Sequence, residues 1–203
     1  MGPGSDDVTD EMLMLRYQRG DRDAFALLVR RYKVRVFNFV LRRVKEANAA
    51  DDLAQDVFLR VVQKAGDFKH EARFSTWLYT IARNLSIDHL RKMSLRRHAS
   101  LDQPSKNSGP DLVETLSDQH PRGDVERTAA ATRVQQCIIS AVDALPEDQR
   151  EVFLLREVAN LPFKDIAEIT GVGENTAKSR MRYALDRLQA ALCDFEEYAR
   201  ALR

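Results

Sequence analysis

Apolar residues recur every three or four positions along most of this chain, the spacing that places side chains on one face of an α-helix. Between Asp21 and Val44 the basic residues, Arg43 among them, fall on the other faces. The apolar stripe, which we expect to enter a core, consists of Phe25, Leu28, Val29, Tyr32, Val36, Phe39 and Val40. The segment therefore predicts a long amphipathic helix.

A second helix, expected over 49–65, carries an unusual residue on its polar face. Its apolar stripe, which includes Phe58 and Val62, leaves Asp52, Asp56, Leu59 and Gln63 on the opposite side. Leu59 has no core to enter there, and carboxylates flank it. Single exposed apolar residues are common, so this helix alone favours a solvated face and a protein-binding face about equally. We take the protein-binding face as the hypothesis to test.

A third helix is expected from about Ser75, whose hydroxyl can accept a hydrogen bond from a first-turn amide, to about Lys92. Phe74 and Trp77 fit its buried stripe, and we assign both to the core. The preceding segment, 66–73, is a polar loop. The basic residues of the loop and helix suit the phosphates and unpaired bases of a nucleic acid, and they are Lys69, Arg73, Arg83, Arg91 and Lys92.

The segment 100–126 lacks apolar periodicity and contains three prolines and two glycines among serine, aspartate and glutamine residues. Such composition is typical of a linker, and a structureless loop of this length is uncommon inside one compact domain. We therefore predict an all-α fold of two small helical domains joined by a flexible linker, with domain boundaries at 10–95 and 129–195 and the linker at 96–128.

In the C-terminal part of the chain, the apolar spacing predicts four helices. The first covers 125–142. The second begins with Pro146 at the first helical position and ends near Val158. The third belongs to the segment 163–188, in which Ala167, Gly171 and Ala177 follow at steps of four and six residues. This spacing, with a small residue at the helix crossing and a glycine at the turn, is typical of a helix-turn-helix.

The last helix has two distinct faces. The apolar residues expected to be buried are Ala177, Met181, Ala184, Leu185, Leu188 and Leu192. The outward face has donors that suit phosphates and base edges, and it consists of Asn175, Thr176, Lys178, Ser179, Arg180 and Arg182. An amphipathic hairpin with a solvated basic face is the alternative. The combined turn and spacing favour DNA binding.

The composition narrows the classes of function. A net charge of +1 means that any DNA binding depends on local clusters of basic residues. Cys137 and Cys193 form no metal-binding or disulfide pattern, and the four histidines lack the spacing of zinc sites. Without a signal peptide or a long apolar run, we expect a cytoplasmic protein with no metal, no cofactor and no catalytic residue.

Four segments in order, 51–61, 74–92, 145–157 and 165–188, resemble the alternative sigma factors of the extracytoplasmic-function (ECF) group of the sigma-70 family. The resemblance covers nearly all of the chain. It implies a subunit that binds core RNA polymerase and directs promoter-specific initiation. The first domain would bind polymerase and the −10 element, and the second would recognise the −35 element.

The resemblance also implies roles for individual residues. The helix 49–65 matches the segment that docks on the clamp of the largest polymerase subunit, and its contact residues would be Asp52, Gln55, Asp56, Leu59 and Gln63. The segment that captures a base of the −10 element would use Lys69, Arg73, Arg83, Asn84 and Arg91. Contacts with −35 DNA would come from Asn175, Thr176, Lys178, Ser179, Arg180 and Arg182.

The expected partners are core RNA polymerase, including the flap of its second-largest subunit, and promoter DNA. No small-molecule substrate is expected. The chain ends at Arg203, too early for an additional regulatory domain, so we expect an anti-sigma factor as a separate regulator. Ala177 departs from the bulkier branched residue usual in the family. One rival is a helix-turn-helix regulator that binds operator DNA without polymerase, which would leave the leucine-bearing face unexplained. A nuclease is disfavoured because no phosphate-binding loop or nucleophile is evident.

Overall fold

The computed structural model describes the backbone of residues 8–69, 71–99 and 125–201, and the side chains of 8–69, 71–96 and 134–192. The described residues form helices and no strand. The helices are α1 (Asp10–Gln18), α2 (Arg22–Val44), α3 (Ala47–Gln63), α4 (Phe74–Ala99), α5 (Val125–Asp143), α6 (Glu147–Glu157), α7 (Phe163–Thr170) and α8 (Glu174–Ala201), with a 3₁₀ turn at Ala65–Asp67. The predicted all-α fold class is confirmed.

The N-terminal unit is built on α2, α3 and α4, each of which packs against the other two. The apolar stripes predicted for these helices supply its core, in which Leu28, Val36, Phe39, Val57 and Leu78 are fully buried. Phe74 is also fully buried, and Trp77 packs beside it with ring centroids 6.2 Å apart. The assignment of Phe74 to the core is confirmed, and Trp77 is a partly buried residue that packs against this core.

Helix α1 crosses this unit and is held by side-chain contacts. Arg31 binds Asp10 at 2.6 Å, and the Tyr32 hydroxyl donates a hydrogen bond to the same carboxylate. Burial, followed by the hydrogen bond to Asp10, raises the pKa of Tyr32, so its hydroxyl stays protonated and remains a donor.

The start of α4 differs from the prediction. The helix already includes Phe74, and the amide of Phe74 donates to the Glu11 carboxylate of α1 at 2.9 Å. Ser75 therefore lies inside the helix and is not its N-cap, and a carboxylate from another helix serves one free first-turn amide. The sequence signal for a cap was local, whereas this contact joins residues 63 positions apart.

The C-terminal unit places α5, α6 and α7 against α8. Its core includes Leu154, Leu155, Ile166 and Ala177, each almost completely buried. Leu185 was expected in this core but is 49% exposed, because the buried face of α8 follows Ala177, Met181, Ala184 and Leu188. Pro146 precedes α6 as its N-cap residue and does not occupy the first helical position.

The helix-turn-helix consists of α7, the turn at Gly171 and α8. Gly171 has φ of 71°, in the left-handed region that glycine adopts without the steric penalty of a side chain. Its amide donates to the carbonyl of Ala167 at 2.9 Å and ends α7. The predicted turn glycine is therefore confirmed, and it sets the direction in which α8 leaves α7.

The ends of the predicted linker are helical. Helix α4 continues to Ala99, beyond the expected end near Lys92, and α5 begins at Val125. The remainder of the linker, 100–124, lies outside the described residues, as does His70. The exact domain boundaries stay predictions. None of the described helices has an apolar stretch long enough to cross a membrane.

Candidate functional site

The exposed face of α3 carries the leucine that the sequence pattern singled out. Leu59 is 57% exposed, although it lies on a regular helix whose other large apolar residues, apart from Val62, are buried or partly buried. The other residues predicted for this face are also exposed, namely Asp52, Gln55, Asp56 and Gln63. Gln55 donates a hydrogen bond to Asp51 at 3.1 Å, which holds its side chain along the helix. An apolar residue within a polar, acidic face is thus presented to the surroundings.

An open groove of about 630 Å³ separates the outer edges of α2 and α3 beside this face. Leu59 and Val62 line it from α3, and both are exposed. Val62 was expected in the core, yet it is 40% exposed because the two helices do not close over it. Other apolar side chains that line the groove are Phe25, Val29, Val34, Phe37 and Phe58. The leucine is therefore part of a larger apolar surface that the sequence pattern did not indicate.

A second candidate surface begins at the loop between α3 and α4. The side-chain amide of Gln18 donates to the carbonyls of Ala65 and Phe68, at 2.7 and 3.0 Å, and so fixes the start of the loop on α1. Phe68 is buried against Trp77, with ring centroids 5.3 Å apart. The loop is thus anchored by an aromatic residue, while Lys69 and Arg73 remain exposed.

Helix α4 carries the rest of this surface. Asn84 and Arg91 are both exposed and lie on one side of the helix, two turns apart. Arg83 is different, because its side chain is only 23% exposed and binds Glu151 of α6 at 2.9 Å. Arg73 also faces the C-terminal unit, with its Nε 3.8 Å from Asp165 of α7. Two of the five predicted residues are therefore paired with carboxylates within the chain.

Glu151, the partner of Arg83, also binds an arginine that the sequence analysis missed. Arg43 was expected outside the apolar stripe of α2, yet it is 4% exposed and binds Glu151 at 2.6 Å. The two residues are 108 positions apart, and no local pattern links them. Only the packing of α2 against α6 makes this contact visible.

A third candidate surface is the outward face of α8. Asn175, Thr176, Lys178 and Arg182 are exposed, whereas Ser179 and Arg180 are half-buried. Lys178 binds Glu174 one turn earlier at 2.6 Å, and Arg180 binds Asp148 of α6 at 3.1 Å. The Arg182 guanidinium lies 5.1 Å from the ring centroid of Tyr183. All six predicted residues thus reach the outer part of α8, with donors suited to phosphates and bases.

Comparison with known protein families gives a match for each of the two helical units. The model for sigma-70 region 2 matches residues 28–96, and the model for sigma-70 region 4 matches residues 135–188. Together they include α3, most of α4, α7 and the first part of α8. The chain belongs to the ECF group of sigma-70 family sigma factors. Members of this family are subunits that direct initiation, and the chain is accordingly a sigma factor that binds core RNA polymerase and recognises promoters.

Curated relatives extend the match over most of the chain. The RNA polymerase sigma-H factor of Pseudomonas aeruginosa is 31% identical over 186 residues, which cover 90% of this chain and 93% of the relative. The ECF RNA polymerase sigma-E factor of Escherichia coli K12 is also 31% identical, over 90% of this chain and 95% of its own length.

Solved structures share the fold. The sigma factor RpoE of Bartonella quintana, solved in complex with the anti-sigma factor NepR, is 26% identical with a TM-score of 0.65, over 83% of this chain and 96% of that chain. CnrH, solved with the cytosolic domain of CnrY, has the same TM-score at 20% identity, covering 91% of this chain and 97% of its own, and shows likeness of fold alone.

Proposed function

We propose that the exposed face of α3 and the adjoining groove form the surface that docks on the clamp of the largest polymerase subunit. Leu59 supplies an apolar centre, and Asp52, Asp56 and the polar residues around it supply a charged rim. Stable protein interfaces commonly combine a buried apolar core with a polar rim. The exposure of Leu59 beside the groove is the observation that carries this assignment.

The loop at 66–73 and the outer side of α4 form the proposed −10 surface. Lys69 and Arg73 lie at the loop, and Asn84 and Arg91 follow along α4. An asparagine side chain offers both a donor and an acceptor to the edge of an unpaired base, while the basic residues suit the backbone. The proposed domain that carries both this surface and the polymerase surface spans 10–95.

Helix α8 is the proposed −35 recognition helix, in a domain that spans 129–195. We assign base contacts to Lys178 and Ser179, and phosphate contacts to Arg180 and Arg182 at the edges of the outward face. Phosphate contacts orient a protein on the duplex, whereas base contacts determine sequence preference. The chain contributes no catalytic residue in this proposal, since phosphodiester formation belongs to the polymerase.

A separate regulator fits this assignment. The Bartonella quintana relative was solved with an anti-sigma factor, and a partner of the same class is proposed for this chain. The place of action is the cytoplasm, where a polymerase subunit meets chromosomal DNA. The rival hypothesis of an operator-binding regulator gives no role to the apolar groove beside Leu59.

Replacing Leu59 with Asp should weaken binding to core polymerase by at least tenfold, because a charged group would enter the apolar centre of the interface. Binding can be measured by fluorescence titration of labelled sigma factor with core enzyme. Leu95→Asp is the matched control, since Leu95 is 69% exposed on α4 and the substitution is chemically the same. Equal affinities of the two variants would contradict the assignment of the α3 face.

Replacing Asn84 with Ala should reduce promoter opening more than closed-promoter binding, because the lost amide is proposed to hold an unpaired base. Permanganate footprinting of the melted strand, alongside a mobility-shift assay for the closed complex, separates the two steps. The double substitution of Lys69 and Arg73 by Ala should act in the same direction. An unchanged melted region would remove the support for this surface.

Replacing Lys178 with Ala should relax preference at one base pair of the −35 element, since a specific base contact contributes about 1–3 kcal/mol of discrimination. Arg180→Ala should instead weaken all promoter variants alike. Transcription from every single-base variant of the element, at one salt concentration, distinguishes these effects. If Lys178→Ala lowered transcription from all variants equally, and Arg180→Ala relaxed the preference at one base pair, the two assigned roles would be reversed.

A further inference from the structure

Helix α1 is held firmly on the rest of the N-terminal unit. Leu13 and Met14 are fully buried, and Asp10 binds both Arg31 and Tyr32 of α2. Apolar burial and charge-assisted hydrogen bonds thus act together to keep the helix against α2. Side chains on the other faces of α1 therefore project from a backbone whose position is fixed.

Two of these side chains bind the two ends of the loop between α3 and α4. At its start, the side-chain amide of Gln18 donates to the carbonyls of Ala65 and Phe68, at 2.7 and 3.0 Å. At its end, the Glu11 carboxylate accepts a hydrogen bond from the amide of Phe74 at 2.9 Å. Glu11 and Gln18 are separated by about two turns of α1, so they lie on one side of the helix.

The part of the loop between these two attachments is open to a ligand. Phe68 is 4% exposed, whereas the described residues that follow it, Lys69, Glu71, Ala72 and Arg73, are all exposed. The amide of Ala72 donates to the carbonyl of Lys69 at 3.1 Å, which closes a turn in this part of the loop. The ends of the loop are therefore held by α1, while its middle can meet a nucleic acid.

We propose that Glu11 and Gln18 are positioning residues that hold the loop 66–73 in the shape that selects the unpaired base of the −10 element. The inference rests on the proposed role of this loop in −10 recognition. Both residues act through the loop and contact no DNA themselves. A loop that is already held in its bound shape loses less conformational entropy on binding and presents its polar groups in one arrangement. Without either attachment, the loop adopts several arrangements and discriminates less between bases.

Comparing Glu11→Ala with Glu11→Gln tests the attachment at Phe74. Both substitutions remove the same charge, but glutamine can still accept the amide hydrogen bond and alanine cannot. Base preference is measured by holoenzyme transcription from every single-base variant of the −10 element. Glu11→Ala should lower the preference for the favoured base by about fivefold, the effect expected of one lost hydrogen bond, while Glu11→Gln should keep it. The affinity of both variants for core polymerase should be unchanged.

Gln18→Met tests the other attachment, because methionine has a similar length and no charge but lacks the N–H donors. It should lower the base preference to a similar extent. It should also speed up amide hydrogen exchange in the loop of the free chain, since a detached loop opens more often. Gln136→Met on α5 is the matched control, at an exposed position of the other unit, and should change neither quantity. Gln18 is itself exposed, so this variant applies the test if Glu11→Ala impairs folding.

The same base preference in Glu11→Ala and Glu11→Gln, or faster hydrogen exchange in Gln18→Met without a change in that preference, would overturn the positioning role. The role of the loop itself is tested separately, by promoter opening with the double variant of Lys69 and Arg73. Impaired opening there, with unchanged preference in Glu11→Ala and Gln18→Met, would overturn the positioning role alone. Normal opening would instead overturn the assignment of the loop to −10 DNA, on which the positioning role rests.

Discussion

Glu151 binds two guanidinium groups at once, and through them it joins α6 to both α2 and α4. Removing one partner from a buried ion pair leaves an uncompensated charge in a medium that solvates it poorly, so the contact strongly favours one arrangement of the helices. The position of α8 relative to the exposed face of α3 follows from that arrangement, because α6 packs on α8 and α2 packs on α3.

The character of this contact differs from that of the cores on either side of it. Around Phe39 and Leu78, and again around Leu155 and Ile166, apolar side chains are removed from water completely. Burial of that kind is not reversible without unfolding a unit. The contact between the units adds the buried polar groups of Glu151 and Asp165 to apolar packing, since the buried apolar residues of both units form one continuous cluster.

The sequence pattern predicted those features of the structure that depend on residues close together in the chain. The helices α2 to α8, the turn at Gly171 and the exposure of Leu59 follow from residues within one or two turns of each other, and all are present, whereas α1 was not predicted. The burial of Arg43 and the cap that Glu11 provides for α4 depend on residues far away in sequence. Neither leaves a local signal, because an arginine on a helix surface and a glutamate in a first turn are ordinary features.

Some features of the candidate surfaces were likewise evident from the sequence, and others were not. The residue types on the outer side of α8 were evident from spacing, yet the pairing of Arg180 with Asp148 was not. The groove beside Leu59 was also hidden, since Phe58 and Val62 carry the same apolar signal as residues of a closed core. Periodicity indicates which face of a helix is apolar, but it does not show whether a neighbouring helix covers that face.

Whether the chain needs core RNA polymerase to recognise promoters is tested by comparing promoter recognition by the purified chain with and without core polymerase. The chain alone should bind promoter duplex weakly and without preference, since its net charge is only +1 and its proposed DNA surfaces are small and separate. With core polymerase it should direct transcription from defined start sites. Tight, sequence-specific binding by the chain alone, with no transcript when core polymerase is added, would contradict its role as a polymerase subunit.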